Sequence, residues 1–461
     1  MPENKDRRLY TRRNIIKGLA GLAGATVLAA CAPRQAAPAT TSKPAQAPTT
    51  AAPAPARREP TKITLWSSFR GANGEAETAL VDNFNESQGD IIVDYQFQGS
   101  YEETAQKLTA AIQARTIPEI SLLSDVWWFK FYLNRAIAPL DDLMVQANMD
   151  VSDYQDSLIN EGLRRGVHYW VPFARSTPLF YYNKPLWAEA GLPDRGPETW
   201  AEFMEWAPKL VKHEGSEMRT AAFSHPDGAS YIAWLFQGVA WQFGGKYSDP
   251  DFTMHMTDED TLRAGQFYHD TVHADKWARP SKDLGADFVN GLTAAAMMST
   301  GSMGGIRNNA QFEFGTAFLP REREFGCCTG GAGLAVLSAT PTDKQIAAMQ
   351  YIAYATNPEN QTFWCKATGY MPVRKSSLES AEMQAFFAEF PQFRTAAEQL
   401  ELTQAQDSAR VFVPNGDQII GKGLERITVQ NESVASAFGD VQRVLVEEAK
   451  PVIEAVRAIE G

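Results

Sequence analysis

The sequence predicts an α/β fold of two lobes with a cleft between them, on three observations. The chain has 461 residues, 44% hydrophobic and 21% charged, so it is a globular protein longer than one core usually supports. Strand-like and helix-like runs alternate from residue 61 onward, which is typical of parallel sheets with right-handed crossovers. An extended run at residues 167–182 is longer than an ordinary strand, so we expect it to carry the chain between lobes.

The first lobe is predicted from three strands and the helices between them. Apolar residues alternate at residues 62–66 and 91–97, which is the pattern of half-buried strands, and a helical pattern separates the two. Ser100 and Glu103 have the spacing of a capping box and open a second helix. A third strand is expected at residues 119–124. This spacing predicts a parallel sheet.

Three polar stretches follow the predicted strands of this sheet. Ligands of such folds meet the carboxyl ends of strands, so we expect residues 66–68, 99–101 and 124–128 to converge on one edge. Tyr101 and Asp125 are the candidate ligand contacts there. An aromatic face can pack on the apolar face of a sugar ring, while a carboxylate accepts hydrogen bonds from its hydroxyls.

The aromatic residues at this edge have structural alternatives. We expect one of Trp127 and Trp128 to belong to a helix core. Tyr101 is as well suited to a hydrophobic staple at the start of its helix as to ligand contact.

The second lobe supplies further candidates. A polar stretch at residues 224–231 precedes a helix, and its Tyr231 is a candidate pocket wall. Residues 287–306 predict a small apolar strand followed by a glycine-rich turn, in which Ser302 and backbone N–H groups would approach a ligand. A helix N-terminus without a ligand is the alternative for this turn. Residues 199–202 predict another capping box, whose helix we assign to packing.

A glycine cluster at residues 330–333 heads a predicted strand. It lacks the glycine spacing of both nucleotide-binding loops, so no cofactor is expected. We interpret the cluster as a close backbone approach where the chain crosses between lobes, and we include Gly331 among the candidate ligand contacts.

Four motifs resemble those of extracellular solute-binding protein family 1, whose members feed carbohydrate-class ABC importers. They are P-F-A-R-S-T-P-L-F-Y-Y-N-K at residues 172–184, G-S-M-G-G-I-R at 301–307, T-G-Y-M-P at 368–372 and V-P-N-G-D-Q at 413–418. In the family, the first and third motifs imply that Ser176 and Tyr370 face the solute. The second motif is similar to the glycerol-3-phosphate-binding members. The resemblance covers roughly residues 61–461.

The resemblance implies a periplasmic-binding-protein fold of type II-like topology, with discontinuous lobes and a hinge. Residues 61–173 and 326–366 would form lobe 1, and residues 174–325 and 367–461 would form lobe 2. It also implies a monomeric protein that is not an enzyme, closes on its solute and delivers it to the transmembrane subunits of an ABC permease. A secreted glycoside hydrolase is the alternative from another class.

The chemistry of the ligand stays open between two classes. Alignment puts Phe412 where glycerol-3-phosphate-binding members have a phosphate-gripping arginine, and Arg410 lies two positions earlier. A planar guanidinium is hard to replace for phosphate recognition. We therefore expect a neutral sugar or polyol about as readily as glycerol 3-phosphate or its diesters.

The N-terminal segment predicts export. Residues 1–30 have the pattern of a signal peptide, with paired arginines at residues 12–13 typical of a twin-arginine signal. The following Leu-Ala-Ala-Cys resembles a lipobox, which would make Cys31 the lipidation site and anchor the protein to the membrane. A plain secretory signal is the alternative. Residues 31–60 are rich in Ala, Pro and Thr and predict a tether.

Composition excludes other chemistry. A net charge of −12 argues against a nucleic-acid partner. Cys327, Cys328 and Cys365 predict at most one disulfide, from Cys365 to one of the pair, with free buried thiols as the equal alternative. His269 and His273 lie one helical turn apart, but without a third ligand we expect no metal site.

Overall fold

A computed structural model describes residues 59–461. The predicted signal peptide, the predicted lipidation site at Cys31 and nearly all of the predicted tether lie outside the described residues. Within residues 59–461, none of the helices combines the length and the apolar character needed to cross a membrane.

Strands and helices alternate along the described chain, which confirms the predicted α/β class. The strands are β1 (Thr61–Ser67), β2 (Ile91–Phe97), β3 (Ile120–Ser124), β4 (Leu163–Arg164), β5 (Val167–His168), β6 (Val171–Ser176), β7 (Pro178–Asn183), β8 (Lys212–Glu214), β9 (Glu217–Pro226), β10 (Ala278–Ser281), β11 (Thr293–Ser299), β12 (Phe314–Ala317) and β13 (Gly330–Val336). The α-helices are α1 (Gly71–Ser87), α2 (Tyr101–Ala114), α3 (Trp128–Leu133), α4 (Asp141–Gln146), α5 (Asp156–Ile159), α6 (Lys184–Glu189), α7 (Trp200–Leu210), α8 (Ala229–Gln242), α9 (Glu259–His273), α10 (Leu284–Val289), α11 (Met303–Asn309), α12 (Thr342–Ala355), α13 (Pro358–Thr368), α14 (Lys375–Glu379), α15 (Ala381–Glu389), α16 (Pro391–Leu400), α17 (Ser408–Val411), α18 (Gly416–Thr428) and α19 (Val434–Glu460).

The first sheet has the strand order β2-β1-β3-β13-β6. β1 pairs in parallel with β2 and β3, as the spacing of strands and helices predicts. β13 pairs antiparallel with both β3 and β6. The parallel arrangement predicted for β1, β2 and β3 is therefore confirmed, and the sheet as a whole is mixed, because β13 enters it as the chain returns from the second sheet.

The second sheet has the order β10-β9-β11-β7-β12, and β8 pairs with β9. β9 is parallel to β10 and β11, whereas β7 is antiparallel to β11 and β12. Successive side chains of β7 point to opposite faces, so Phe180 and Tyr181 lie in different hydrophobic cores.

The extended run predicted at residues 167–182 includes two long strands separated by Thr177. β6 lies in the first sheet and β7 in the second, so the chain passes between the sheets at this buried residue. The hydroxyl of Thr177 donates to the carbonyl of Cys328 at 3.1 Å. Gln399 donates through Nε2 to the carbonyl of Pro178 at 2.8 Å. Hydrogen bonds to distant segments therefore fix the position of the chain where it crosses from the first sheet to the second.

The C-terminal helix α19 joins structure built on both sheets. Phe438, in its first half, lies in the core of the second sheet, while Val452 lies with Trp128 in a core beside the first. Near the end of the helix, Glu460 accepts hydrogen bonds of 2.7 Å from Nε and Nη2 of Arg164.

Two local predictions need correction. Cys327, Cys328 and Cys365 are separate buried thiols, so the predicted bridge to Cys365 is not formed and the thiol alternative is correct. At the start of α7, Thr199 accepts a hydrogen bond from the backbone of Glu202 at 3.0 Å. The carboxylate of Glu202 pairs elsewhere, so this capping box is only half formed.

Candidate functional site

All seven residues predicted to contact a ligand line one cavity of about 440 Å³, here called the main cavity. They come from elements of both sheets and from the chain after α13. The seven are Tyr101, Asp125, Ser176, Tyr231, Ser302, Gly331 and Tyr370.

One side of the main cavity is the carboxyl edge of the first sheet. Tyr101 is the first residue of α2, and the predicted capping box, with both of its hydrogen bonds formed, fixes the start of that helix. Asp125 follows β3, and its backbone N–H donates to the carbonyl of Gly331 at 3.0 Å. Ser176 ends β6. The ends of β2, β3 and β6 thus converge as expected for a sheet with parallel crossovers.

The second sheet supplies the opposite side. The hydroxyl of Tyr231 accepts from the backbone N–H of Ser299 at 2.8 Å, and its ring stacks on Trp234 with centroids 5.8 Å apart. Ser302 ends a single helical turn that follows β11 and leads into α11. The predicted glycine-rich turn is therefore the start of a helix.

Tyr370 enters the main cavity just beyond α13. That helix ends at Gly369 in the left-handed conformation, with φ of 91°. The Tyr370 ring is nearly parallel to Trp364, at 8° and 5.7 Å between centroids. Burial raises the pKa of Tyr370 to about 12 and the pKa of Tyr101 well above its usual value. Both phenols are therefore protonated at neutral pH and can donate hydrogen bonds.

Arg410 lines the main cavity, although the alignment put Phe412 at the position of the family's phosphate-gripping arginine. The residue is 4% exposed, and its guanidinium donates from Nη2 to the carbonyl of Ser230 at 3.1 Å and from Nη1 to Gln406. Its Nε is buried without a partner. Phe412 instead packs on Phe129, with centroids 4.2 Å apart, and does not line the main cavity. The main cavity therefore has a guanidinium that the alignment did not anticipate.

Asp125 and Arg410 are connected through Gln406. The amide Nε2 of Gln406 donates to Asp125, and its Oε1 accepts from Arg410. Burial raises the pKa of Asp125, and the positive charges of Arg410 and Arg175 oppose that rise. Arg175 is fully buried and pairs with Glu161. The cavity wall thus presents a carboxylate and a guanidinium in a fixed arrangement.

One predicted stretch does not reach the main cavity. The hydroxyl of Ser67 donates to buried Glu77, and the hydroxyl of Ser68 lies 2.7 Å from that of Thr104. Because these groups join β1 to α1 and α2, the expectation that residues 66–68 contact a ligand is not met.

The adjacent tryptophans separate as expected. Trp127 lines the main cavity, and Trp128 is buried against Trp170. Several further lining residues were not predicted individually, among them Asn73, Ser299, Asp417 and Gln418. Of these, only Asp417 and Gln418 lie in a recognised motif.

The described part of the chain has no group of three or more His, Cys, Asp and Glu residues that could hold a metal. His269 and His273 instead bond to the side chain of Asn431 and the carbonyl of Ile427, at 2.8 and 3.0 Å.

The chain is similar to known solute-binding proteins. Residues 79–391 match the family described as bacterial extracellular solute-binding protein. The sn-glycerol-3-phosphate-binding periplasmic protein UgpB of Yersinia pestis is 27% identical over 369 residues, covering 74% of this chain and 80% of that protein. The UgpB protein of Escherichia coli K12 is 25% identical over the same shares.

Solved structures have the same two-lobed fold. UgpB from Mycobacterium tuberculosis in complex with glycerophosphocholine is 41% identical, with a TM-score of 0.81 over 85% of this chain and 99% of that one. The cyclic alpha-maltosyl-1,6-maltose binding protein of Arthrobacter globiformis, 24% identical, matches in fold with a TM-score of 0.71 over 85% of this chain and 100% of that one. These relatives are binding proteins rather than enzymes, so the glycoside hydrolase alternative finds no support.

Proposed function

The chain belongs to the bacterial extracellular solute-binding protein family, and from this premise we propose that its main cavity captures a phosphorylated polyol. The loaded protein then delivers this solute to the permease of an ABC importer. The glycerol 3-phosphate and glycerophosphocholine named for its relatives belong to this ligand class.

The observation that carries the proposal is the guanidinium of Arg410 in the cavity wall. Within residues 59–461 it forms hydrogen bonds to an amide and a carbonyl but no ion pair with a carboxylate. A buried cation that no carboxylate contacts directly favours an anionic ligand. The fork of donors on a guanidinium matches phosphate geometry better than an ammonium does.

The remaining polar groups suit a hydroxyl-bearing ligand. The phenols of Tyr101 and Tyr370 and the hydroxyl of Ser176 line the same cavity, as does the carboxylate of Asp125. Such groups accept and donate hydrogen bonds to a polyol, while the ring of Trp127 offers an apolar face.

Ligand capture is proposed to close the two lobes. The cavity has walls from both sheets, and Asn73 of α1 already donates to the carbonyl of Gly301, beyond β11, at 3.2 Å. The sequence predicts lobe 1 from residues 61–173 with 326–366 and lobe 2 from residues 174–325 with 367–461. Because β6 belongs to the first sheet as far as Ser176, we propose to move the first boundary to Thr177 and to keep the others. Contacts available only when the lobes meet would favour the closed state, which the permease would recognise.

The export predictions complete the proposal. We propose that the protein acts outside the cytoplasmic membrane as a monomer, attached by a lipid on Cys31 after a twin-arginine signal. An extracellular location agrees with the family.

Thermal unfolding of the purified protein tests the ligand class. Glycerol 3-phosphate, glycerophosphocholine, maltose and glycerol are compared as probes, and only phosphate-bearing probes are expected to stabilise the protein strongly. A ligand at 100 times its Kd adds about 2.7 kcal/mol.

A variant pair makes the test specific. Arg410→Gln should remove the stabilisation by phosphate-bearing probes, whereas Arg443→Gln, an exposed arginine on α19, should retain it. Stabilisation by maltose alone, unaffected by Arg410→Gln, would instead identify a neutral sugar as the ligand.

A further inference from the structure

The ionisable side chains of the main cavity do not suit a doubly charged anion. Glu102, Asp125 and Asp417 line it together with a single arginine, Arg410, so its walls carry a formal charge of −2. The sum remains negative even with one carboxyl protonated. A phosphate monoester carries about −1.5 to −2 at pH 7, and these walls would repel that charge.

Asp417 is the carboxylate in this group that lacks a partner. It is 3% exposed, and its carboxylate makes no hydrogen bond or ion pair with residues 59–461. Asp125, by contrast, accepts from Gln406, and Glu102 is exposed and accepts from Gln106. The first turn of α18 offsets only part of the cost of burying the charge on Asp417.

A second cavity adjoins the main cavity at Asp417. It has a volume of about 540 Å³ and shares Val126, Trp127 and Asp417 with the main cavity. Its other walls include Phe412 and Val452. A ligand group that projects from the main cavity into the second one would pass directly beside the carboxylate and the indole.

The indole at this junction already attracts a cation. The ammonium of Lys130 lies 5.4 Å from the centre of a Trp127 ring. Trp is the side chain that binds cations best through its ring face, and quaternary ammonium groups are recognised in this way. Lys130 lies on the exposed rim of the second cavity.

We propose that Asp417 and Trp127 form a cation subsite, so that the preferred ligand is a zwitterionic phosphodiester. Its phosphate lies at Arg410, and its ammonium or trimethylammonium group lies between the carboxylate and the indole. This proposal rests on the proposed function and extends it, because it assigns the specificity to residues beyond the phosphate contact. A ligand with one negative and one positive charge satisfies both unpaired groups, Arg410 and Asp417, at once.

Calorimetric titration with matched diesters tests the subsite. Glycerophosphocholine and glycerophosphoglycerol share the glycerol phosphate and differ in the charge of the second alcohol. The unmodified protein should bind glycerophosphocholine more tightly, on the order of tenfold, and glycerol 3-phosphate more weakly than either diester. Equal affinity for the two diesters, or tighter binding of the monoester, would overturn the proposal.

Variants locate the selectivity. Asp417→Asn should weaken the binding of glycerophosphocholine on the order of tenfold and leave the binding of glycerophosphoglycerol unchanged or tighter. Trp127→Leu should also weaken the choline diester selectively. Glu425→Gln, on the same helix but lining neither cavity, should change nothing. If Asp417→Asn lowered the affinity for both diesters to the same extent, Asp417 would have a structural role and the subsite would be refuted.

The outcomes separate the two proposals. If Arg410→Gln abolishes binding of both diesters but the unmodified protein does not discriminate between them, the phosphate site stands and the cation subsite fails. If no phosphate compound binds, both fail. Should Asp417→Asn not fold, the diester comparison on the unmodified protein and the Trp127→Leu variant decide.

Discussion

The ring of Tyr370 lies against the backbone of Gly301 so closely that a Cβ at Gly301 would be 2.5 Å from Cζ of the ring. The ring also stacks in parallel on Trp364, with centroids 5.7 Å apart. Asn73 donates to the carbonyl of the same glycine. One residue without a side chain therefore sets the position of a cavity phenol relative to the helix start that carries Ser302.

Gly301→Ala is expected to push Tyr370 out of place. Overpacking of this kind costs about 1–3 kcal/mol, and displacement of the phenol should weaken ligand binding as well. Chemical unfolding and titration with glycerophosphocholine measure the two effects.

Gly305→Ala is the matched control for that change. A Cβ at Gly305 meets nothing within 4 Å, and alanine in the first turns of α11 should stabilise the protein by about 0.5–1 kcal/mol. Equal effects of the two alanines would show that the contact with Tyr370 does not matter.

Tyr370→Phe is expected to separate binding from packing. The phenyl ring keeps its stack on Trp364, so stability without ligand should change little, whereas loss of one hydroxyl donor should weaken binding on the order of tenfold. Titration and thermal unfolding are compared with Tyr169→Phe, which lies outside the main cavity. Unchanged affinity in Tyr370→Phe would remove this phenol from the proposed site.

The buried carboxyl of Glu77 is expected to make stability fall as pH rises. Burial raises its pKa from 4.5 to about 7, opposed by the hydrogen bond from Ser67. Between these values the unfolded chain loses the proton while the folded chain keeps it. The contribution of Glu77 is therefore present below pH 4.5 and is lost by pH 7, a change of about 3 kcal/mol.

Glu77→Gln isolates this effect from the other carboxyls. Unfolding by urea at pH 5 and pH 8 should show a smaller decrease for the variant than for the unmodified protein. An identical decrease in both proteins would mean that Glu77 ionises normally in the folded state.

The buried cysteines are expected to be chemically silent in the folded protein. Burial raises the pKa of Cys327 to about 12, and Cys328 and Cys365 are buried too. With Cys31 replaced by serine, a thiol reagent should label three groups in denaturant and almost none in native buffer. Fewer than three labelled groups after unfolding without reductant would indicate a bridge.

The sequence was most informative where a regular period or a motif extends over many residues. Alternation at residues 62–66 and 91–97 identifies the strands, because one face of each is buried. The motifs around Ser176 and Tyr370 place both residues at the main cavity. These elements follow from local pattern and family resemblance.

The misses have physical reasons too. α17 has four residues, too few to show a helical period. The alignment of this segment was therefore uncertain by two residues, and Phe412 was matched to the family's arginine instead of Arg410. The direction of β13 depends on where the chain returns from the second sheet, which no local pattern encodes. The sequence also could not show that Asp417 lacks a partner, because that depends on the absence of residues from other segments.

Helix α19 is anchored at both ends. Its first half packs beside the second sheet and its end is held by Arg164 beside the first, so we expect it to limit how far the two lobes can separate. Between these anchors Pro451 offers no N–H to the preceding turn, which is where a helix bends most easily. We therefore expect opening of the cleft to bend α19 near Pro451, so that the stiffness of this helix would influence how readily the solute is released.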